Sequence, residues 1–216
     1  MIKRQVFLVW FVIFLIWSFY RAYFNFPEWI DELVVKPVIF AFPILYLVLI
    51  REKGDLSELG LKPSPKEFMA DLYFGVFLGA LFALEGLGAN YLKYGNFSFS
   101  PSQALKVTSG VGVFFLLNLM TSVWEEILGR GYLYLRLYKI TNNQFSASVT
   151  SSFLFLLLHI PIMFTRLHLT GSSLIIYPIS ILLLGITNCY LFSLRGSLTL
   201  PILLHAFWNM TVALFL

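Results

Sequence analysis

Two adjacent glutamates, Glu125 and Glu126, lie inside a long apolar run. A charge inside a membrane span costs at least about 2.5–3.5 kcal/mol, so each carboxylate needs a partner, water or neutralisation. Neighbouring helix positions point about 100° apart, and the two carboxylates are therefore expected to have separate partners. Arg130 follows Glu126 by four residues, on the same helix face and in the order that favours an ion pair. We expect Glu126 to pair with Arg130, which leaves Glu125 free for chemistry.

Two histidines, His159 and His205, lie in the interiors of two further apolar runs, whereas His168 lies near a loop. A lone histidine in a span is usually a packing residue, but two on separate runs, with a glutamate pair on a third, favour a shared polar site. Asn209 follows His205 by four residues and shares its helix face. Counting about 1.5 Å of rise per residue from the expected span ends places Glu125 and these side chains at overlapping depths.

A carboxylate and two imidazoles in a low-dielectric cavity can activate water, either with glutamate as general base or through a bound metal. Hydrolysis is the natural reaction class, and the Asn209 amide could donate to the oxyanion formed when a peptide bond is attacked. The sequence has neither HExxH nor a cysteine ligand set. Glu125, His159 and His205 could nevertheless form a three-ligand site with an open position. Metal dependence stays open, with one Zn²⁺ as the candidate cofactor.

The composition predicts the elements that must position these side chains. The chain is 59% hydrophobic and 12% charged, against roughly 45–50% and 25% in soluble domains. We therefore predict an all-α, polytopic transmembrane helical bundle in the lipid bilayer. The first run follows Lys3 and Arg4 and is interpreted as a retained span, not a signal peptide. Seven apolar runs are present, at about 5 to 23, 33 to 50, 68 to 92, 108 to 135, 145 to 165, 172 to 193 and 198 to 216.

The number of spans and their orientation follow from these runs. An eighth span arises if the run from 108 to 135 is a span followed by a broken segment. Basic residues favour the cytoplasmic side by ten to five when the N-terminus is inside, with Lys36 counted outside. We predict an integral, multi-pass membrane protein with a cytoplasmic N-terminus, in the cell membrane if the source is prokaryotic. N-terminal helices and a cytoplasmic loop occupy residues 1–107, and the apolar runs that carry Glu125, His159 and His205 occupy 108–216.

The cysteine count and the distribution of charge argue against other kinds of protein, and three further polar residues have expected structural roles. A single cysteine, Cys189, excludes an intrachain disulfide framework. The formal charge of +4 is spread between apolar runs, which is typical of membrane topology and argues against nucleic acid. Asp71 and Glu85 are 14 residues apart, within about 40° on a helix, so both are expected to point inward. We expect Asp71 to be an interfacial cap or ion-pair partner, Glu85 to line the cavity, and Asn118 to hydrogen-bond within the bundle.

Three motifs carry a family resemblance. EExxxR spans residues 125–130, FxxxH spans 155–159 and HxxxN spans 205–209. In this order and on separate apolar runs, they resemble the CPBP intramembrane protease family. That family includes type II CAAX prenyl endopeptidases and bacteriocin-processing or immunity (Abi-type) proteins. The resemblance covers roughly residues 108–216, and Gly129 departs from it, because an apolar, often aromatic, residue is expected there; a glycine could mark a helix break.

The resemblance implies a role for each motif. Glu125 would activate water with His159, while Glu126 and Arg130 would support the site. His205 with Asn209 would stabilise the oxyanion.

The sequence thus favours an intramembrane endopeptidase with a site open to the cytoplasm. Its substrate would be a peptide or a membrane-anchored protein, and a prenylated one is implied by the resemblance. A non-catalytic bacteriocin-immunity or scaffold protein is the first alternative. A proton-coupled transporter, using Glu85, Glu125 and the histidines as a relay, is the second.

Overall fold

A computed structural model describes residues 2–97 and 110–215 of the chain. The structure is 85% helical, and these residues form no strand. The predicted domain boundary at 107/108 and the basic residue Lys106 lie outside the described residues. In the described ranges the chain forms seven main helices: α1 (Ile2–Tyr23), α2 (Glu28–Arg51), α3 (Pro65–Tyr94), α4 (Val111–Thr141), α5 (Gln144–Thr165), α6 (Ser173–Arg195) and α7 (Thr199–Phe215).

Six of these helices, α1 to α6, are long and apolar enough to cross a membrane, and α7 is a shorter apolar helix. The predicted helical membrane bundle is therefore confirmed. The run predicted from 108 to 135 forms one continuous helix, α4, that extends to Thr141. The alternative of a span followed by a broken segment is wrong for the described part of this run.

Two helices contain wide turns of the π type. In α2 these turns include Asp31–Val35 and Pro37–Ala41, and in α4 a long wide segment spans Ile127–Tyr134. Pro37 lacks an amide hydrogen, so a regular hydrogen-bond ladder cannot continue through it. Gly129 lies within the wide segment of α4, so the break expected there is instead a widening of the helix. Such segments often occur at functional sites.

Side-chain caps define where the helix α3 and the turn before it begin. Asp55 accepts a hydrogen bond from the Ser57 amide and caps the short turn Leu56–Leu59. Ser64 and Glu67 form a reciprocal capping box at the start of α3. A hydrogen bond from Lys62 lowers the pKa of the exposed Asp55 carboxyl below its usual range.

The segment between α2 and α3 folds back against the bundle. Leu59 is buried, and the Gly60 carbonyl accepts a hydrogen bond from the Leu198 amide at 2.9 Å. Gly60 has φ of +73°, and a Cβ there would lie 2.5 Å from the Phe192 ring, so both backbone conformation and space require glycine. This contact fixes the start of α7, which carries His205.

Two tryptophans of α1 donate hydrogen bonds to the backbone of α5. The indole nitrogen of Trp10 donates to the Leu154 carbonyl at 3.0 Å, and that of Trp17 donates to the Leu158 carbonyl at 2.9 Å. Because Leu158 directly precedes His159, the Trp17 bond also holds the helix segment that presents this histidine.

The helix α3 packs on α7 along a stripe that starts at Asp71. The Asp71 carboxylate is buried and accepts from Arg195 of α6 at 2.5 Å, so its predicted role as an ion-pair partner is confirmed. Gly75 and Gly79 lie against side chains of α7. Glu85 is exposed, which makes its predicted inward orientation wrong. The reason is that Glu85 points about 120° away from Gly79 on the helix, off the face that α7 covers.

Candidate active site

A carboxylate and two imidazoles from three helices converge inside the bundle. Oε2 of Glu125 (α4) lies 3.8 Å from Nε2 of His159 (α5) and 3.7 Å from Nε2 of His205 (α7). Both separations exceed a direct hydrogen bond. The structure thus brings together the carboxylate and both imidazoles that the sequence singled out.

The partner of His159 determines which nitrogen faces Glu125. Nδ1 of His159 lies 3.0 Å from the Phe155 carbonyl oxygen, one turn earlier on α5. A carbonyl can only accept, so Nδ1 carries a proton, and Nε2 of the ring faces Glu125. The Phe155 ring also packs edge-on against the imidazole, which explains the FxxxH spacing.

A carboxylate orients His205 in the same way. Nδ1 of His205 donates to Oε1 of Glu126 at 2.8 Å, and this bond turns Nε2 of the same ring towards Glu125. His205 therefore lies between the two glutamates. The expectation that the adjacent carboxylates have fully separate partners is wrong at this residue, because the two ring nitrogens reach one carboxylate each.

Glu126 is a buried hub rather than a reactive group. Its Oε1 also accepts from Arg130 at 2.9 Å, which confirms the predicted pair, and from Nδ2 of Asn188 at 2.9 Å. Arg130 is buried, and its guanidinium lies over the Phe155 ring at 4.9 Å. Donors on α4, α6 and α7 thus meet at one oxygen and fix the orientation of His205.

Asn188 was missed in the sequence reasoning. It is completely buried on α6, and its amide also donates to the Pro201 carbonyl at 3.2 Å. The available signal was a carboxamide in the interior of an apolar run, which usually finds a partner on another helix.

Lys36 is the second residue missed, and it corrects two expectations. Its Nζ lies 2.9 Å from Oε1 of Glu125 and 2.8 Å from Oε2 of Glu32. Glu125 is therefore not free of a cationic partner, and Lys36 is a buried residue of α2 rather than part of an outer loop. Lys36 already lies within the apolar run from 33 to 50, and α2 extends this run back to Glu28. The spacing of Glu32 and Lys36, four residues apart, was the available signal.

The two predicted polar residues Asn209 and Asn118 differ in their surroundings. Asn209 is half-buried on α7, one turn beyond His205, and the described residues provide no hydrogen-bond partner for its side chain. Asn118 donates to the Phe114 carbonyl of its own helix at 2.9 Å, so the hydrogen bond predicted for it within the bundle is present. Asn209 thus keeps its donor available, whereas the Asn118 donor is used locally.

A small cavity adjoins the Glu125 carboxylate. It has a volume of about 30 Å³, which is enough for one or two water molecules. A peptide cannot fit this volume, so substrate binding requires its walls to move apart. The cavity is lined by Trp17, Lys36, Phe40, Glu125, Leu158, His159 and Ile162.

The side chains of Glu125, His159 and His205 differ in their geometry from the ligands of a zinc site. In the described ranges no group of three or more His, Cys, Asp or Glu side chains is arranged to hold a metal ion. The 3.7 and 3.8 Å separations exceed the edge of about 3.4 Å of a tetrahedron of nitrogen and oxygen ligands around zinc. The Lys36 ammonium adds a positive charge beside Glu125. The predicted set of Glu125, His159 and His205 does not fit zinc as placed, and no step is derived through a metal.

Comparison with known proteins gives one family. Residues 107–211 match the family model described as Type II CAAX prenyl endopeptidase Rce1-like. The matched segment contains all three sequence motifs and leaves α1 to α3 outside. No curated protein and no solved structure gave a match.

Proposed function

Because residues 107–211 match the model of the Rce1-like family of type II CAAX prenyl endopeptidases, we propose that the protein is an intramembrane endopeptidase. The family is one of proteases, and its members act on prenylated, membrane-anchored proteins. The proposed reaction is hydrolysis of one peptide bond in such a substrate.

One observation carries the proposal. Oε2 of Glu125 and the Nε2 atoms of His159 and His205 face one another without an intervening donor among the described residues. A water molecule between these atoms can donate one O–H group to Oε2 of Glu125 and the other to an imidazole nitrogen, while its oxygen lone pairs point at a substrate carbonyl. A scaffold needs no such set.

In the proposed reaction, Glu125 takes a proton from water as the oxygen attacks the scissile carbonyl carbon. The C=O π electrons move to oxygen, and a tetrahedral oxyanion forms. When this intermediate collapses, the C–N bond breaks and the amine nitrogen takes the proton that Glu125 holds. A carboxylic acid and an amine leave, and Glu125 returns to its ionised form.

The oxyanion needs a donor, and Asn209 is proposed for it. Nε2 of His205 faces Oε2 of Glu125 at 3.7 Å, on the side where the attacking water is proposed to lie. The Asn209 amide, one turn away, has donors that no described residue uses. We therefore assign the oxyanion to Asn209 and the orientation of water to His205, which refines the pairing implied by the resemblance.

A prenyl chain suits this location, because an isoprenoid partitions into lipid beside a site within the bundle. The exposed position of Glu85 removes it from the site, so the proton relay of the transporter alternative lacks its first member.

Cleavage of a defined peptide by the full-length protein in detergent tests the function. The probe is an internally quenched peptide that ends in farnesyl-cysteine, two aliphatic residues and methionine; an unprenylated copy measures the contribution of the lipid. Glu125→Ala, His159→Ala and His205→Ala are each expected to lower the cleavage rate by about 100- to 10,000-fold. Unchanged cleavage in all three variants would show that the site is assigned wrongly.

Matched controls lie elsewhere in the chain. His168 lies in a turn with φ of +46°, so His168→Asn tests loss of a histidine in a conformation that asparagine tolerates. Glu85→Gln removes an exposed glutamate from a span. Both controls should cleave like the wild type, and a catalytically inert wild type would favour the immunity or scaffold alternative.

The predicted Zn²⁺ is tested in the same assay. Full cleavage after exhaustive chelation, with no metal detected in the protein, would support water activation by Glu125 alone. Loss of cleavage that is restored by adding Zn²⁺ would support the metal set Glu125, His159 and His205.

We also propose that the N-terminus faces the cytoplasm. The burial of Lys36 within α2 removes one basic residue from the outer segments, which strengthens the charge bias. Reporter fusions to the N-terminus and to the α2–α3 loop should both report the cytoplasmic side.

A further inference from the structure

Lys36 lies outside the family segment and at the centre of the proposed site. It belongs to α2, more than 70 residues before the matched range begins, yet its ammonium contacts the carboxylate proposed as general base. The side chain is only 7% exposed. Burial of a lysine is costly unless its charge is paired, so this position requires an explanation.

A network on two helices holds Lys36 in place. Oε2 of Glu32, one turn earlier on α2, accepts from Lys36 at 2.8 Å and also from the hydroxyl of Thr121 on α4. The indole nitrogen of Trp124 donates to the Glu32 carbonyl at 2.8 Å. These bonds tie α2 to the turn of α4 that precedes Glu125, so the ammonium cannot move without disrupting the helix contact.

The consequence for Glu125 is geometric. Its Oε1 is held by Lys36 at 2.9 Å, so Oε2 is the oxygen that faces His159 and His205. A carboxylate without such a partner could rotate and exchange its two oxygens. The nearby ammonium also offsets the cost of burying an ionised carboxylate beside acceptors.

We infer that Lys36 is a positioning residue for the proposed reaction, which holds one oxygen of Glu125 so that the other is directed at water. This inference rests on the proposed endopeptidase function. It makes α2 part of the active site, so the family segment alone is incomplete. Lys36 acts through Glu125 and does not contact the substrate.

The test compares Lys36→Met and Lys36→Arg in the full-length protein, with the farnesylated peptide as probe. Misplacement of a reacting group by about 1 Å can cost about 100-fold in rate. We expect Lys36→Met to lower kcat by about that factor with little change in KM, because ground-state binding is untouched. Lys36→Arg, which keeps the charge, should recover a large part of the loss. A kcat of Lys36→Met within about threefold of wild type would overturn the inference.

A double-mutant cycle separates positioning from structural support. If Lys36 acts through Glu125, adding Lys36→Met to Glu125→Gln should cause no further loss in the residual rate. A further loss of about the size seen in the wild-type background would overturn the inference. Should Lys36→Met fail to fold, Lys36→Gln with Glu32→Gln removes both partners as a neutral pair. The same loss of kcat is expected there, and a wild-type kcat would contradict the proposal.

An infrared readout keeps this inference separate from the proteolytic function. Difference spectra against Glu125→Gln identify the carboxylate stretch of Glu125. Lys36→Met should shift this band, whereas His168→Asn should not, and an unshifted band would overturn the positioning role even in an active enzyme. If the wild type cleaves no probe, the endopeptidase proposal fails, and the band alone decides whether Lys36 positions Glu125.

Discussion

His205 donates a hydrogen bond from Nδ1 to Oε1 of Glu126 at 2.8 Å and so joins α7 to α4 inside the membrane. The bond turns Nε2 of the same ring towards Glu125. The second glutamate of the EE pair therefore acts as the orienting partner of a histidine, the arrangement by which outer residues commonly orient the reactive groups of hydrolytic sites.

Glu126 should matter more for stability than Glu125. Glu126→Gln leaves Arg130 buried without a carboxylate among its described partners and removes a charge-assisted bond to His205. Loss of one partner of a buried pair costs about 3–5 kcal/mol. In Glu125→Gln, Lys36 keeps its bond to Glu32, so a smaller loss of folding stability is expected than in Glu126→Gln. Thermal unfolding in detergent measures both, and equal losses would contradict the hub role of Glu126.

The sequence predicts contacts within one helix, but it does not predict contacts that depend on how two helices pack. The Glu126–Arg130 pair follows from a four-residue helix spacing and was confirmed. Lys36 escaped prediction because its contact with Glu125 depends on how α2 packs on α4 and on where α2 begins. Spacing within one helix carries neither piece of information.

The helical bundle itself followed from composition and apolar runs, whereas the orientation of single side chains did not. Asp71 and Glu85 share nearly one face by spacing, yet only Asp71 is buried, because the position of α7 decides which stripe of α3 is covered. Asn188 likewise becomes informative only when α6 places it beside Glu126.

Asp31 should be a strong stability determinant at the end of the bundle. Its carboxylate accepts from Tyr20 and from Arg21 on α1, and from Arg166 just after α5. Asp31→Asn removes the negative charge between two guanidinium groups, and we expect a loss of about 3–5 kcal/mol. Chemical or thermal unfolding in detergent provides the measurement.

The matched control is Asp55→Asn. Asp55 also pairs with a cation, Lys62, but both side chains are more than half exposed. Exposed pairs contribute about 0–1 kcal/mol, and asparagine caps a turn as well as aspartate does. A loss in Asp55→Asn as large as in Asp31→Asn would show that burial does not decide the cost.

Asn209 should affect the rate rather than binding, provided that the endopeptidase proposal holds. Removing a donor to the oxyanion costs about 100- to 1,000-fold in kcat, so Asn209→Ala should lose that much with KM nearly unchanged. Asn118→Ala is the control, because that amide bonds only the backbone of its own helix among the described residues. Steady-state cleavage of the farnesylated peptide measures both. Equal rates in the two variants would remove Asn209 from the oxyanion.

Gly185 should be required for the close packing of α6 on α5. A Cβ at this position would lie 2.8 Å from Oγ and 2.9 Å from Cβ of Ser152. The hydroxyl can rotate but the Ser152 Cβ cannot, so Gly185→Ala forces the helices apart and should cost about 1–3 kcal/mol.

Gly129→Ala provides the contrast, since its Cβ would meet the Phe155 ring at an ordinary 3.6 Å. Alanine is the better helix former by up to about 1 kcal/mol, so Gly129→Ala should leave the unfolding temperature unchanged or higher. Destabilisation of Gly129→Ala as large as that of Gly185→Ala would mean that the wide segment of α4, rather than interhelical space, requires glycine.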